Sequence, residues 1–399
     1  MQHNYICFRV YGFQSILKYY KMKIYQIHNK YKYTGGEETV VEEEAKLLIS
    51  NNHEVIKVIK DNAKELKLFR DKFFALKNIS YSKKNLEILD KEIIKHGMPD
   101  IVHVHNIFPL WTYSVFDFFN KKKIPIIMTL HNYRLIWEKL GFFQNNREKY
   151  GYFQDSNFKS FLVSKLINKR KDLLEKVTKF ITLTEFAKKE FSSKGLPENK
   201  LIIKPNFLNS KRNNINPVIK KKSAIYASRI SKEKGILTLI EAFQNLDLNI
   251  DILGDGPLLS KIKKNNKNNN IKFHGSISRD ETSKFINGAK FIVVPSECYE
   301  GFPMTILEAF REGTLVLASN IGSIKSIIKN KYNGILFEFG NKLDLINKVK
   351  WILNNPKECD QITKNAINDF DNKYSSEVNY KKLINIYEEA IKESKNNYS

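Results

Sequence analysis

The feature that most constrains this chain is an alternation of short apolar runs with helical patterns, repeated in two series on either side of a polar break. The first series holds "KIYQIH" (Lys23–His28), "EVIKVI" (Glu54–Ile59), "DIVHVH" (Asp100–His105), "IPIIMT" (Ile124–Thr129) and "KFITLT" (Lys179–Thr184). A helical pattern over Glu37–Ser50 separates the first two. Short apolar runs separated by helices predict parallel strands covered on both faces. The break, "NFLNSKRNNINPVIKKK" (Asn206–Lys222), is polar, contains Pro217 and has no period, so it reads as a linker. The second series runs through "SAIYAS" (Ser223–Ser228), "NIDILG" (Asn249–Gly254), "IKFHG" (Ile271–Gly275), "KFIVVPS" (Lys290–Ser296) and "TLVLAS" (Thr314–Ser319). Ser375–Lys392 is an amphipathic helix. At 399 residues the chain suits two α/β domains rather than one core. The expected fold is therefore two Rossmann-like, doubly wound domains facing each other across a cleft. The first spans 22–205 and the second 223–372, with linker 206–222 between them and a terminal helix over 373–399.

Composition narrows the class. Hydrophobic residues make up 42%, enough for a sizeable core. Cys7, Cys298 and Cys359 lie far apart without CxxC spacing, which argues against a zinc ribbon or disulfide scaffold and fits a reducing compartment. The net charge of +24 fits either a solvated lysine-rich surface or attraction to anionic lipid or a phosphorylated ligand. Nucleic acid is not expected: Lys121–Lys123, Lys220–Lys222 and Lys261–Lys267 lack interleaved aromatics. No segment is apolar enough to span a bilayer. Residues 1–21 read as an extension, either a misassigned start ahead of Met22 or a membrane-touching amphipathic arm.

In open parallel sheets ligands sit beyond the carboxyl ends of the strands. One such loop, "ECYEGFPMTILEAF", carries Glu300 and Glu308. The apolar spacing and Pro303 start a helix near Phe302 or Pro303, with Glu300 in the loop and Glu308 about two turns in. Eight helical residues rise roughly 12 Å and leave the acids roughly 80° apart. Carboxylate pairs that hydrolyse glycosides stand about 5 to 9.5 Å apart, so this pair suits the ends of an extended ligand better. The free N–H groups of 302 to 305 would hold an anion at its middle. A ribose diol at Glu308 and sugar hydroxyls at Glu300 complete a nucleotide-diphosphate sugar; taken alone, the stretch also fits two solvated acids. "SRISKEKG" adds Arg229, a forked donor, and Lys234, a mobile point charge, a pair suited to a diphosphate or simply two more surface cations. "LGDGP" and "HGSIS" follow the next two strands. In the first domain, Gly35 and Gly36 in "YTGGEE" either let backbone approach a phosphate or merely turn the chain. His103 and His105 share a strand face, His131 ends another strand, and either of the first two fits a structural role as well as a site. No Asp-x-Asp loop indicates a metal site.

These residues resemble the retaining glycosyltransferases of family 4 (glycosyl transferases group 1), which have the GT-B fold. The likeness runs from about Met22 to Tyr387 and is most specific in "PSECYEGFPMTILEAFREGTLVLAS", similar to the family's E-x7-E segment, with "SRISKEKG", "GDGP" and "NGILF" in family order. It implies that Arg229 and Lys234 hold the donor diphosphate and Glu308 the ribose. Glu300 and the backbone of Gly301, Phe302, Pro303 and Met304 would meet the donor sugar and phosphate, with Gly35 and Gly36 across the cleft. His131 matches the histidine close to the reacting sugar carbon, His105 lies on the acceptor side, and the terminal helix crosses back onto the first domain. Ser228, "PNFLN" (Pro205–Asn209) and Lys325–Ser326 depart from the family's usual residues.

The function so implied is a metal-independent, cofactor-free hexosyltransferase that retains anomeric configuration. It would move a sugar from a UDP- or GDP-linked donor to a saccharide or lipid-linked acceptor in capsule, O-antigen or lipopolysaccharide synthesis. The expected location is cytoplasmic, peripheral on the inner face of an anionic membrane, with acceptor choice in Phe108–Tyr113 and Tyr133–Phe161. The alternatives are a nucleotide-sugar epimerase or phosphorylase of the same fold, or a non-catalytic glycan-binding protein.

Overall fold

A computed structural model describes residues 21–30, 35–65, 81–140, 174–209 and 223–398. The extension over 1–20, linker residues 210–222 and the acceptor-side stretch 141–161 lie outside the described residues. The first sheet contains β1 (Lys23–Lys30), β2 (Glu54–Asp61), β3 (Ile101–Asn106), β4 (Ile126–Thr129), β5 (Lys179–Thr182) and β6 (Leu201–Ile203) in the order β2-β1-β3-β4-β5-β6. The second contains β7 (Ala224–Ala227), β8 (Ile250–Leu253), β9 (Ile271–Gly275), β10 (Phe291–Val294), β11 (Leu315–Ser319) and β12 (Ile335–Phe337) in the order β12-β11-β10-β7-β8-β9. Every strand pair is parallel.

The strands read as continuous apolar runs because both faces are covered. All four residues of β10, Phe-Ile-Val-Val, are buried. Phe291 and Val293 pack into the cluster on one face, with Leu239 and Phe243; Ile292 and Val294 pack into the other, with Ile306 and Phe310. The strand ends move by a residue or two from those read in sequence. β4 begins only after Pro125, whose ring nitrogen offers no ladder donor. β6 and β12 are additional strands of three residues each.

In each sheet the strand order reverses once, between β1 and β3 in the first and between β7 and β10 in the second. A crevice opens at such a switch point, outside the carboxyl ends of the flanking strands. Helix α1 (Gly36–Ser50) follows β1 and begins at the first crevice.

The final helix, Ser376–Tyr398, lies against the first sheet although it follows the second in sequence. Leu383, Ile384, Tyr387 and Ala390 pack with Ile24, Ile101, Ile127 and Ile181 in one buried cluster. Burying a large apolar side chain contributes roughly 1.5–3 kcal/mol, so these contacts bind the tail firmly to that sheet. The first linker residues join this packing: Phe207 and Leu208 are buried, and Leu208 bridges to Ser375.

Candidate active site

The two crevices meet in one cavity of about 180 Å³. Ala227 and Ser228 at the end of β7, and Val294, Pro295 and Ser296 at the end of β10, form its floor. Lys234, Glu300 and Phe302 to Thr305 form a wall, and Gly36 of the first domain closes the opposite side. Small-molecule pockets usually enclose about 300 Å³ or more, so a space this size takes one part of a longer ligand.

Lys234 ends a short turn locked against β10. The next residue, Gly235, has φ of +68°, and a Cβ there would fall 1.7 Å from the Pro295 carbonyl oxygen. Only glycine permits that approach. The turn delivers Lys234 Nζ to 2.6 Å from Glu300 Oε2. Ser296 Oγ donates to the other Glu300 oxygen. Burial alone would raise the Glu300 pKa, but the Lys234 charge and these hydrogen bonds outweigh it and hold the carboxyl below its usual range. Burial would likewise lower Lys234, yet Glu300 raises it. Both groups are ionised at neutral pH.

Arg229 is exposed beside Ser228; it hydrogen-bonds Glu233, and its Nε lies 3.3 Å from Ser231 Oγ. Glu308 is half-buried and forms no hydrogen bond or ion pair with the described residues. Burial pushes its carboxyl up, against the pull of Arg311 and Arg279.

The helix carrying Glu308 spans Met304–Glu312, so it starts later than the sequence suggested. Pro303 takes φ −74° and ψ 104°, an extended conformation, and is the N-cap rather than the first helical residue. The free N–H groups therefore begin at Met304, and Glu308 stands just past the first turn. Met304 and Thr305 line the cavity, so the N-terminus of this helix opens on it. The N-terminus of α1 opens on the same space from the other domain. There Glu38 takes the Gly35 N–H at 2.8 Å, and a Cβ on Gly36 would lie 3.2 Å from Met304 Cγ.

His131 follows β4 at the junction of the domains. A Cβ on Gly301 would sit 2.0 Å from the His131 carbonyl oxygen, so the two backbones are in direct contact. The His131 ring is half-buried, and its Nε2 lies 3.0 Å from Nδ1 of His105. His105 is 3% exposed. It stands behind His131, on whose ring its Nδ1 bears. Burial, then neighbouring His105, holds His131 well below the ordinary histidine range, so the ring is neutral.

Behind His105 lies a buried polar network that sequence reasoning missed. Glu44 of α1 accepts from Lys204 Nζ at 3.0 Å and stands 3.0 Å from His103 Nδ1. The tail helix contributes Tyr387, whose hydroxyl lies 2.7 Å from His103 Nδ1, and Asn379, 3.2 Å from Lys204 Nζ. Donor atoms of Glu44, His103 and His105 all lie within 4.8 Å of one another, a spacing that a metal ion could use. The Lys204 ammonium on Glu44 and the hydroxyls of Tyr387 and Thr129 on the two His103 nitrogens give this set internal partners instead.

The domains touch beside the site. Ser323 Oγ lies 3.1 Å from the Tyr133 hydroxyl and 3.0 Å from Thr184 Oγ1, and Ser326 accepts from the Phe186 N–H at 3.2 Å. The serine at 326, where the family resemblance led one to expect another residue, thus serves the interface. Among the described residues no helix is long and apolar enough to cross a membrane.

Comparison with known proteins agrees with this architecture. Residues 34–212 match the model for Glycosyltransferase Family 4, and residues 209–369 match the model for Glycosyl transferases group 1. An uncharacterized glycosyltransferase of Methanocaldococcus jannaschii is 29% identical over 336 residues, covering 83% of this chain and 85% of its own. The N,N'-diacetylbacillosaminyl-diphospho-undecaprenol alpha-1,3-N-acetylgalactosaminyltransferase of Campylobacter jejuni is 25% identical, covering 80% and 83%. Among solved structures, Anabaena HepE in complex with UDP-glucose superposes with a TM-score of 0.67 at 15% identity, over 92% of this chain and all of that one. Two parallel six-stranded sheets that share one cavity, together with the two family models that match 34–212 and 209–369, identify the chain as a GT-B glycosyltransferase of the family 4, group 1 type.

Proposed function

We propose that this enzyme is a retaining glycosyltransferase that moves a sugar from a nucleotide-diphosphate donor to a saccharide or lipid-linked acceptor in cell-surface polysaccharide synthesis. One observation carries the reading: two helix N-termini, one from each domain, and the half-buried cation Lys234 converge on a single cavity. Each N-terminus presents free N–H groups and roughly half a positive charge. That combination selects an anion, and its small volume suits the diphosphate of a longer ligand. The UDP-glucose complex of the structural neighbour and the lipid-linked substrate named for the Campylobacter relative support a UDP-linked donor and a lipid-linked acceptor.

In this reading the breaking bond joins the sugar carbon to the terminal phosphate oxygen, and negative charge grows on the departing diphosphate. Lys234, the Met304 helix and α1 stabilise that charge from fixed positions, which is the most effective form of such stabilisation. Arg229, exposed at the end of β7, turns from Glu233 toward the same phosphates. Glu300 holds Lys234 in place and offers its oxygens to sugar hydroxyls, and the unpartnered Glu308 carboxylate accepts from the ribose diol. His131, neutral, meets the sugar without adding positive charge beside a carbon that becomes cationic. The fixed positive groups supply what a divalent metal supplies in other transferases, so activity is expected to survive EDTA. The acceptor attacks from the face the diphosphate leaves, which retains configuration.

The test is nucleoside-diphosphate release from a panel of UDP- and GDP-sugars, with and without undecaprenyl-diphosphate saccharides, followed by NMR of the product anomer. Acceptor-dependent release with retained configuration is expected. Release independent of acceptor, or an inverted product, would overturn the reading.

A further inference from the structure

His131 is held from behind by a second histidine, and that histidine stands over a buried carboxylate. His131 Nε2 lies 3.0 Å from His105 Nδ1, with the rings stacked 5.3 Å apart. The other His105 nitrogen, Nε2, lies 3.4 Å from Glu44 Oε1 and 3.2 Å from Gln26 Nε2. Glu44 is 1% exposed, and its Oε2 is occupied by Lys204.

The protons in this chain follow from one requirement. Burial opposes charge on Glu44, but Lys204 and the adjoining histidines outweigh it and hold the carboxyl well below its usual range, so it is an anion. Its Oε1 is buried and, among the described residues, has no partner other than the ring nitrogens facing it. A bare ring nitrogen would repel that oxygen, whereas an N–H satisfies it. A hydrogen bond to a charged group is markedly stronger than one between neutral partners. The carboxylate therefore outcompetes Gln26 for His105 Nε2, and the Gln26 amide keeps its bond to the Val41 carbonyl at 3.2 Å.

A neutral imidazole carries one proton. Burial and His103 push His105 down to about 4, so at neutral pH its proton sits on Nε2 and Nδ1 is a bare acceptor. That acceptor takes a hydrogen from His131 Nε2. His131 is then left with Nδ1, which makes no hydrogen bond with the described residues. His28, His103 and Lys204 also face this chain of groups. None of them breaks it, because His28 is neutral and its ring lies 6.3 Å from that of His105, while His103 and Lys204 bond to Glu44.

We propose that Glu44 and His105 are positioning residues that fix His131 as its Nε2–H tautomer, so that it meets the substrate through Nδ1 as a hydrogen-bond acceptor for a sugar hydroxyl. This rests on the reading of His131 as the histidine beside the reacting sugar. The carboxylate sets the polarity of the chain, and the first turn of α1, which carries Glu44 further along, reaches the same cavity. A single helix thus links the donor site to the ring that faces the sugar.

The test is a long-range proton–nitrogen correlation spectrum of the full chain labelled with ¹⁵N-histidine at neutral pH, with the His131 signals assigned through His131→Gln. The expected pattern is a protonated Nε2 and a bare Nδ1 at His131. In Glu44→Gln the carboxamide can donate to His105 Nε2, so the His131 tautomer is expected to shift toward Nδ1–H. With it kcat should fall by about 10²-fold, while KM for the nucleotide sugar stays within about threefold, since the contacts proposed for the diphosphate and ribose at Lys234 and Glu308 are untouched. A wild-type His131 protonated on Nδ1 would overturn the proposal whether or not any variant folds. So would a folded Glu44→Gln protein with unchanged tautomer and kcat. The spectrum needs no substrate: failure of every nucleotide sugar to bind counts against the donor reading alone, and a wrong tautomer in an active enzyme counts against this proposal alone.

Discussion

Lys234 Nζ lies 2.6 Å from Glu300 Oε2, so the one cation among the described residues lining the cavity is tied to the one acid there. The pair orders the lysine before any ligand arrives. Replacing it by alanine removes the cation and leaves the half-buried, unpaired Glu300 anion where a diphosphate must bind, a change with both a lost attraction and a new repulsion. Lys234→Ala is expected to lower nucleoside-diphosphate affinity by about 10²-fold or more, read by calorimetry. The kcat/KM should fall by about 10²- to 10³-fold. Affinity equal to wild type would remove Lys234 from the anion site.

Glu308 makes a different kind of contribution. Its carboxyl is half-buried, has no partner among the described residues and is pushed up by burial, so holding it charged costs the folded protein stability. Glu308→Gln should therefore leave the melting temperature unchanged or higher. It should also raise KM for the donor about tenfold with little change in kcat, because a ribose contact is made equally in ground and transition states. A fall in kcat at constant KM would assign Glu308 to the chemistry instead.

The two glycines that bridge the cleft are not equivalent. A Cβ at Gly301 meets the His131 carbonyl oxygen at 2.0 Å, and neither backbone can yield without moving a domain. A Cβ at Gly36 meets Met304 Cγ at 3.2 Å, the flexible part of a methionine. Gly301→Ala should cut kcat/KM by about 10²-fold through misplacement of His131, and Gly36→Ala by less than about tenfold. Steady-state kinetics of the two variants side by side check this, and equal effects would contradict the contact geometry.

Much of the fold was legible because parallel strands buried on both faces leave unbroken apolar runs, as Phe291–Val294 does. Three-residue strands such as Ile335–Phe337 are too short to carry a period, and β12 went unread as a strand for that reason. Glu300, Lys234 and Met304 could be gathered from sequence because each lies just beyond a strand end. Glu44 could not: it follows Glu42 and Glu43 in an acidic run that looks solvated. The one available signal was helical phase, since Val41, Glu44, Ala45 and Leu48 fall on one buried face of α1. Lys204 gave no signal at all, because its partners Glu44 and Asn379 stand 160 and 175 residues away.

The buried histidines make stability depend on pH in a direction that can be worked out. Burial, aided by neighbouring cations, lowers His28 to about 3 and His105 to about 4, and holds His131 well below its ordinary value. In the unfolded chain these rings titrate near 6.5. Below that pH the unfolded state binds protons that the folded state refuses, so stability is fully present above about 6.5 and is lost as pH falls toward 4. Each ring contributes up to about 1.4 kcal/mol per pH unit, and the three are coupled, so the joint slope is less than their sum. Glu44, also depressed, adds its loss only below about 4.3, the unfolded glutamate value. The melting temperature is expected to be flat between pH 8 and 7 and to drop steeply between about 6.5 and 5. His28→Gln, which removes one ring without touching the Glu44–His105–His131 chain, should flatten that drop. A melting curve that does not move between pH 7 and 5 would show that these rings take up protons in the folded protein and are not held neutral by the network.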